Sequence, residues 1–314
     1  MCPGIRENVL MATTRRGDAP DVESAELFPG IDAAPVSSAP PAVGSPRPTF
    51  DGPATIPYAS AVRYLWGDDI SGEVSDWIYA STDLIHMLVW ALPPGGKCLH
   101  SDTHRTVFGA DVTYFVLSGT LALANPENGE VKVAQAGEAV LFRRDTWHHI
   151  FSHGLEQLRV LEFFAPPPST GTSRKYAQTR PPLEEVRHAN DELLGHWPLE
   201  RPEPTLHHRT AADILWRRDG DALVGITVST EHLTVGTLSL LPGQHSATEE
   251  HGGDETLYVL EGVLNVRTEG SDGTGWHEIH PGDGFYCPAG TQHRYSNIGG
   301  GIARAAFGVA PRWR

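Results

Sequence analysis

Most of this chain is written twice. GADVTYFVLSG, at 109–119, returns as GGDETLYVLEG at 252–262. The likeness runs on. VLSGTLALANPENGEVKVAQAGEAVLFRRDTWHH, from Val116, aligns with VLEGVLNVRTEGSDGTGWHEIHPGDGFYCPAGTQHR, from Val259. Strand, Gly turn, strand, polar loop, Gly turn, strand and His follow in one order. A unit this long is too large for a solenoid repeat and suits a duplicated domain. Each copy predicts a small closed or nearly closed antiparallel barrel.

The rest of the text supports an all-β reading. HMLVWAL, TLALANP, EAVLFRR and LRVLEFF are short β-like runs bounded by Gly, Pro, Asn or Asp. DALVGITVST, LTVGTLSLL, GFYCP and ARAAFGVAP form a matching second set. We expect a flexible, Ala/Pro/Ser-rich N-terminal tail over 1–55 and a first barrel over 60–166. A linker at 167–204 and a second barrel at 205–314 follow. Within the linker, LEEVRHANDELLGHW places Leu183, Val186, Leu193 and Leu194 at helical spacing, with Gly195 as a C-cap, and predicts a short connecting helix.

Charge and cysteine usage narrow the function classes. The formal net charge of the 314 residues is -15, which repels phosphate backbones and argues against a nucleic-acid partner. No apolar run is long enough to span a bilayer, and the N-terminus lacks the apolar core of a signal peptide, so a cytoplasmic protein without membrane partners is expected. The three cysteines, Cys2, Cys98 and Cys287, form neither a disulfide framework nor a CxxC zinc signature. Cys287 reads as a small buried hydrophobe.

The second copy carries a more specific signal. PGDGFYCPAGTQHRYSN places Gly282, Pro288, Gly290, His293 and Asn297 at the spacing G(x)5PxG(x)2H(x)3N. PGQHSATEEHGGDETLYVLEG holds His251, Glu255 and Gly262 of the pattern G(x)5HxH(x)3-4E(x)6G, with Glu249 in place of the first histidine. These two motifs resemble those of the cupin superfamily. The resemblance covers roughly 65–165 and 205–311 and implies a bicupin, two tandem double-stranded β-helix (jelly-roll) barrels.

Strand parity agrees with it. Glu249 and His251, two residues apart, share a face. Glu255 resumes the pattern after Gly252-Gly253, with Leu257 and Val259 following it inward. A carboxylate among apolar side chains is costly unless paired or bound to a cation, and a metal between Glu255 and nearby histidines supplies one. The expected set is His251, Glu255 and His293, with Glu249 or His245 as a fourth member. Nitrogen and oxygen donors without thiolate suit one divalent transition metal, Fe(II) first, with Mn, Ni or Zn as alternatives. Glu249 could equally be a general base.

The first copy lacks the carboxylate, because Val112 stands where Glu255 does. Asp111, one residue away, faces the other side of the strand. His100, His104 and His148 could still form a three-nitrogen site. The alternative, which ligand count favours, is a structural barrel.

Three function classes follow. The first is an oxidoreductase of dioxygenase type acting on a small organic substrate, since two histidines and one carboxylate suit oxygen-activating iron and bicupins of this kind include dioxygenases. The second is a non-redox metal enzyme, an isomerase, lyase or decarboxylase, with the metal as Lewis acid. The third is a non-catalytic small-molecule-binding protein, because a fold alone does not set a reaction. A monomer or a homodimer fits a duplicated chain.

Overall fold

The computed structural model describes residues 45–166, 179–188, 203–270 and 273–313. Four antiparallel sheets make up the fold. One seven-stranded sheet runs Leu206–Arg209, Ala139–Phe142, Asp111–Ser118, Leu158–Ala165, His86–Leu92, Gly72–Ser81, Val62–Asp68. Its companion is the four-stranded sheet Lys97–Cys98, His149–Ser152, Thr120–Asn125, Glu130–Gln135. A second seven-stranded sheet runs Ala54–Ile56, Gly284–Cys287, Asp254–Glu261, Ala303–Ala310, Thr234–Leu240, Ala222–Ser229, Leu215–Asp219. It is paired with the three-stranded sheet Gly273–Ile279, Leu264–Gly270, Gln292–Ser296. The duplication in sequence is thus a duplication of architecture, two tandem jelly-roll barrels.

The central strands of the large sheets are apolar on both faces because each face has its own partner. In His86–Leu92 every residue is buried. Leu88, Trp90 and Leu92 enter the core of the N-terminal barrel, while Met87 and Val89 enter a core shared between the barrels. Leu158–Ala165 divides the same way, with Val160 and Phe164 inward and Leu161 and Phe163 toward the other barrel. This is the period-two signature of a strand buried on both faces. In the C-terminal barrel Leu257 and Val259 face inward, and Tyr258 packs edge-on against Tyr79 across the shared core, ring centroids 5.6 Å apart.

The barrels approach so closely that only glycine fits at one point. A Cβ on Gly308 would lie 2.5 Å from the ring of Phe163. Burying Phe163 contributes about 3 kcal/mol. Polar contacts frame this apolar seam. Thr82 and Tyr286 donate hydroxyl hydrogen bonds to Asp254 at 2.8 and 2.9 Å. Arg143 bridges Asp111, at 2.9 Å, to Glu231 of the other barrel. The equivalent turns Gly119 and Gly262 have φ of 77° and 69°, and backbone lies within 3.0 Å of a Cβ at either, so both demand glycine.

Each barrel is closed by a strand from outside its own span. Ala54–Ile56, inside the segment expected to be a flexible tail, pairs with Gly284–Cys287 of the C-terminal barrel. Phe50 packs on Tyr286 with ring centroids 5.4 Å apart. Residues 1–44 of that expected tail lie outside the described residues. Leu206–Arg209, at the start of the expected second barrel, pairs instead with Ala139–Phe142 of the first. Both additions cover an edge that would otherwise expose unpaired backbone.

The expected linker helix is not formed over 183–188, which is irregular with bends. The segment follows Pro181-Pro182 and is tied to the first barrel, the Arg187 amide donating to the Pro126 carbonyl at 2.7 Å. That tether takes the place of helical hydrogen bonds. The rest of that expectation, from residue 189, lies outside the described residues. No described helix is long and apolar enough to cross a membrane.

Candidate metal centre

Glu255 stands near the start of Asp254–Glu261, opposite Cys287 and Val309 on the neighbouring strands. Parity turns it into the barrel with Leu257 and Val259, while its neighbour Asp254 turns outward to Thr82. His251 precedes the strand. His293 lies on Gln292–Ser296 of the small sheet, and its backbone bridges Glu249 in both directions, at 2.8 and 2.9 Å. Three separate elements therefore meet at one point.

All three side chains are buried, and one donor atom from each lies within 4.8 Å of the others. Glu255 Oε2 is 3.1 Å from His293 Nε2 and 3.6 Å from His251 Nε2. None of these three atoms makes a hydrogen bond of acceptable geometry. The far ring nitrogens are engaged, Nδ1 of His251 with the Trp313 carbonyl at 2.9 Å and Nδ1 of His293 with the Thr291 carbonyl at 3.0 Å. A carbonyl accepts only from N–H, so both Nδ1 atoms carry hydrogen and both Nε2 atoms point at Glu255. Orientation of a ligating imidazole through its second nitrogen is how proteins prepare a metal site.

The electrostatics favour positive charge at the meeting point. Burial opposes a charge on His293, yet Cys287 and the Glu255 carboxylate push its pKa up to about 11. Burial also opposes ionisation of Glu255, and His251 and His293 hold its pKa below the usual carboxylate range. Cys287 is buried in the barrel core, and burial pushes its thiol up, as expected for a packing residue. The donor set, two imidazoles and one carboxylate, fits a divalent transition metal.

Glu249 stands at the rim. Its Oε2 is 3.9 Å from His251 Nε2, and Arg217 donates to its Oε1 at 2.9 Å. Burial, then Asp219, raise it to about 7, with Arg217 acting in the other direction. It adjoins the trio without joining the convergence. His245 is not brought to the site; it is exposed, with Nδ1 2.9 Å from the Ser246 carbonyl. Two further residues close the rim. The Trp313 ring lies 4.4 Å from that of His251, and the Arg217 guanidinium lies 5.0 Å over the Trp313 ring. No sequence motif marks either, since each reaches the site only through tertiary folding.

The N-terminal barrel does not assemble the equivalent set. Val112 is fully buried in its core. Asp111 faces the barrel interface and pairs with Arg143. His148 occupies the place of His293, but it stacks on Phe142 at 4.3 Å and lies 3.3 Å from the Tyr114 hydroxyl. Burial drives its pKa down to about 3, with no carboxylate to oppose it. His100 turns to His149 at 2.7 Å, and His104 turns to Asp68 at 3.2 Å. Among the described residues only His251, Glu255 and His293 converge as metal donors.

That barrel holds something else, a cavity of about 90 Å³ lined by aromatic side chains and by two buried acids, Asp76 and Glu162. Sequence reasoning passed over both. The available signal was the one used for Glu255, a carboxylate at an inward position of a buried run, in VSDWIYA and LRVLEFFA.

Comparison with known proteins gives this architecture a family. The cupin domain matches twice, over 88–164 and 236–307. Among solved structures, a Pseudomonas aeruginosa protein described as glyoxylate-induced superposes with a TM-score of 0.59 at 16% identity, covering 87% of this chain and 93% of its own. The Lactobacillus farciminis oxalate decarboxylase formate complex superposes with a TM-score of 0.58 at 13% identity, covering 84% and 87%. AerE from Microcystis aeruginosa does so with a TM-score of 0.53 at 11% identity, covering 80% and 97%. At these identities the likeness concerns fold alone. No curated protein sequence gives a significant match. Two matched domains, two jelly-roll barrels and the paired motifs make this chain a member of the cupin superfamily, a bicupin.

Proposed function

We propose that this bicupin is a metal-dependent enzyme whose C-terminal barrel holds one divalent transition metal on His251, Glu255 and His293. The observation that carries the reading is the convergence of three buried donor atoms within 4.8 Å, none in a hydrogen bond of acceptable geometry. Two histidines and one carboxylate leave coordination positions open, the pattern of non-haem iron oxygenases. We therefore favour oxygen-dependent oxidation of a small organic substrate, of dioxygenase type, with Fe(II) as the metal. The bound metal would supply oxygen activation and polarise the substrate.

The chain's own residues have separable roles in this reading. The Trp313 and Thr291 carbonyls hold the two imidazoles in their ligating orientation. Arg217 donates to one oxygen of Glu249, Asp219 lies beside the carboxyl, and the other oxygen lies 3.9 Å from His251 Nε2. From there Glu249 can take a proton from substrate or return one. The Trp313 ring over His251 limits water entry and offers a flat apolar wall to the substrate.

A second reading rests on Glu249. A carboxylate placed for proton transfer beside a Lewis-acidic metal also suits an isomerase, lyase or decarboxylase. Oxygen uptake by the iron-loaded protein against a panel of phenols and keto acids separates the two. Substrate-dependent oxygen consumption that disappears in Glu255→Ala supports the dioxygenase reading. Turnover of a keto acid without oxygen consumption replaces it with the second.

A further inference from the structure

The N-terminal barrel carries no metal trio, yet its interior is not a filled core. Its cavity is walled by Trp66, Trp90, Phe108, Tyr114 and Phe164. Asp76 comes from Gly72–Ser81 and Glu162 from Leu158–Ala165, on either side of His86–Leu92. Their cross-strand partners are Trp90 and Leu88, so both carboxyl groups share the inward face with the Trp90 indole. Both acids are more than nine-tenths buried.

Among the described residues no ion pair joins an arginine or lysine to either acid. Arg47, the only arginine or lysine among the lining residues, gives its Nη2 to the Thr82 carbonyl and to Asp83. His86 and His148 also line the cavity, but burial drives each to about 3, so they stay neutral. His86 Nδ1 and Thr106 Oγ1, both buried at the wall, have no hydrogen-bond partner. Burial, then the charge of Asp76, raise Glu162 against the Trp90 indole, which acts in the other direction, and burial raises Asp76. Two buried acids without a cationic partner are destabilising in a core. An ordinary structural barrel gains nothing from them.

Aromatic faces around buried acids are the chemistry that recognises an organic ammonium. The ring quadrupoles attract the cation, and a carboxylate accepts its N–H groups through charge-assisted hydrogen bonds. We infer that the cavity of the N-terminal barrel is a second ligand site, for a small primary ammonium carried on an aromatic or other apolar body, with Asp76 and Glu162 as its recognition groups. The bound cation supplies the positive charge that the protein itself withholds. His86 and Thr106 offer further polar contacts to the same ligand. The site is independent of the metal centre, which lies in the other barrel.

Benzylamine and its neutral counterpart benzyl alcohol differ mainly in charge, and so test this directly. Binding to the full chain is followed by quenching of tryptophan fluorescence, since Trp66 and Trp90 line the cavity, and by calorimetry. Benzylamine is expected to bind at least about 10-fold more tightly than benzyl alcohol, and phenylacetate more weakly than either. Glu162→Gln and Asp76→Asn, near-isosteric, should each reduce that preference, while Glu255→Ala leaves it unchanged. Equal or tighter binding of benzyl alcohol or phenylacetate to the wild type overturns the proposal without recourse to any variant. So does a benzylamine affinity that Glu162→Gln and Asp76→Asn both leave intact, or no benzylamine binding at about 10 mM, near the limit where association is negligible.

Discussion

Glu255 and Glu162 are both glutamates turned into the interior of a barrel, and their neighbours give them opposite characters. Glu255 meets two imidazoles within 3.6 Å and is held ionised despite burial. Glu162 shares a cavity with a second acid and aromatic rings, and its pKa rises. Burial depth is similar in both, 2% exposed against 5%. What differs is the donor chemistry around the carboxylate. Nitrogen donors aimed at one point make a metal site. Aromatic faces around two acids make a cavity that favours an organic cation. Duplication has thus kept one architecture and separated two chemistries.

The largest expected effect falls on the metal side of this contrast. Replacing Glu255 or His293 by Ala should weaken divalent metal binding by at least about 100-fold, more than loss of an outer-shell partner would, as measured by metal content after dialysis. His148→Ala, at the matching place in the other barrel, should leave metal content unchanged. If His148→Ala also loses metal, the barrels are not differentiated in the way their geometry indicates.

Grafting the missing carboxylate is the next test. Val112→Glu places an acid beside His148 alone, because His100 and His104 turn elsewhere. The variant should lose about 3 kcal/mol in urea unfolding, the order expected for an uncompensated buried charge, and gain no metal. A second bound metal would mean that one residue separates the two sites.

Glu162 has a pH signature. Its folded pKa is raised above its ordinary value of 4.5, so the folded state holds the proton more tightly than the unfolded chain. Its stabilising contribution is complete below pH 4.5 and is lost as pH rises toward the folded pKa. Relative to wild type, Glu162→Gln should therefore become progressively more stable as pH rises above that value, by up to about 1.4 kcal/mol per pH unit. Urea unfolding of both proteins between about pH 5 and 8 reads the difference. A constant difference would place Glu162 in contact with a cation.

The smallest effect is expected at His104. Its contact with Asp68 is partly exposed, so His104→Ala should cost less than about 1 kcal/mol and leave metal content untouched. A larger loss would show that the loop over 100–106 supports the barrel more than a surface pair does.

Much of the metal site was legible because it is local. Glu255 and its inward parity follow from one run of alternating residues, and Gly282, Pro288 and His293 from one turn and strand. What was not legible depends on distant pairing. Nothing in PATIPYA says that Ala54–Ile56 joins a sheet more than two hundred residues later. Nothing in TLHHRT says that Leu206–Arg209 joins the barrel behind it. Trp313 follows the last strand as an isolated aromatic and acquires meaning only where its carbonyl meets His251. Glu162 was legible in principle, by the same parity as Glu255. It lacked a surrounding motif, and Asp76 lies 86 residues earlier, on Gly72–Ser81.

The central claim is that one barrel holds metal and the other does not. Titration of the metal-free full chain with Fe(II) under anaerobic conditions, or with Mn(II), tests it most directly. One metal per chain is predicted, lost in Glu255→Ala and retained in His148→Ala. Two metals per chain, or one that survives Glu255→Ala, would contradict it.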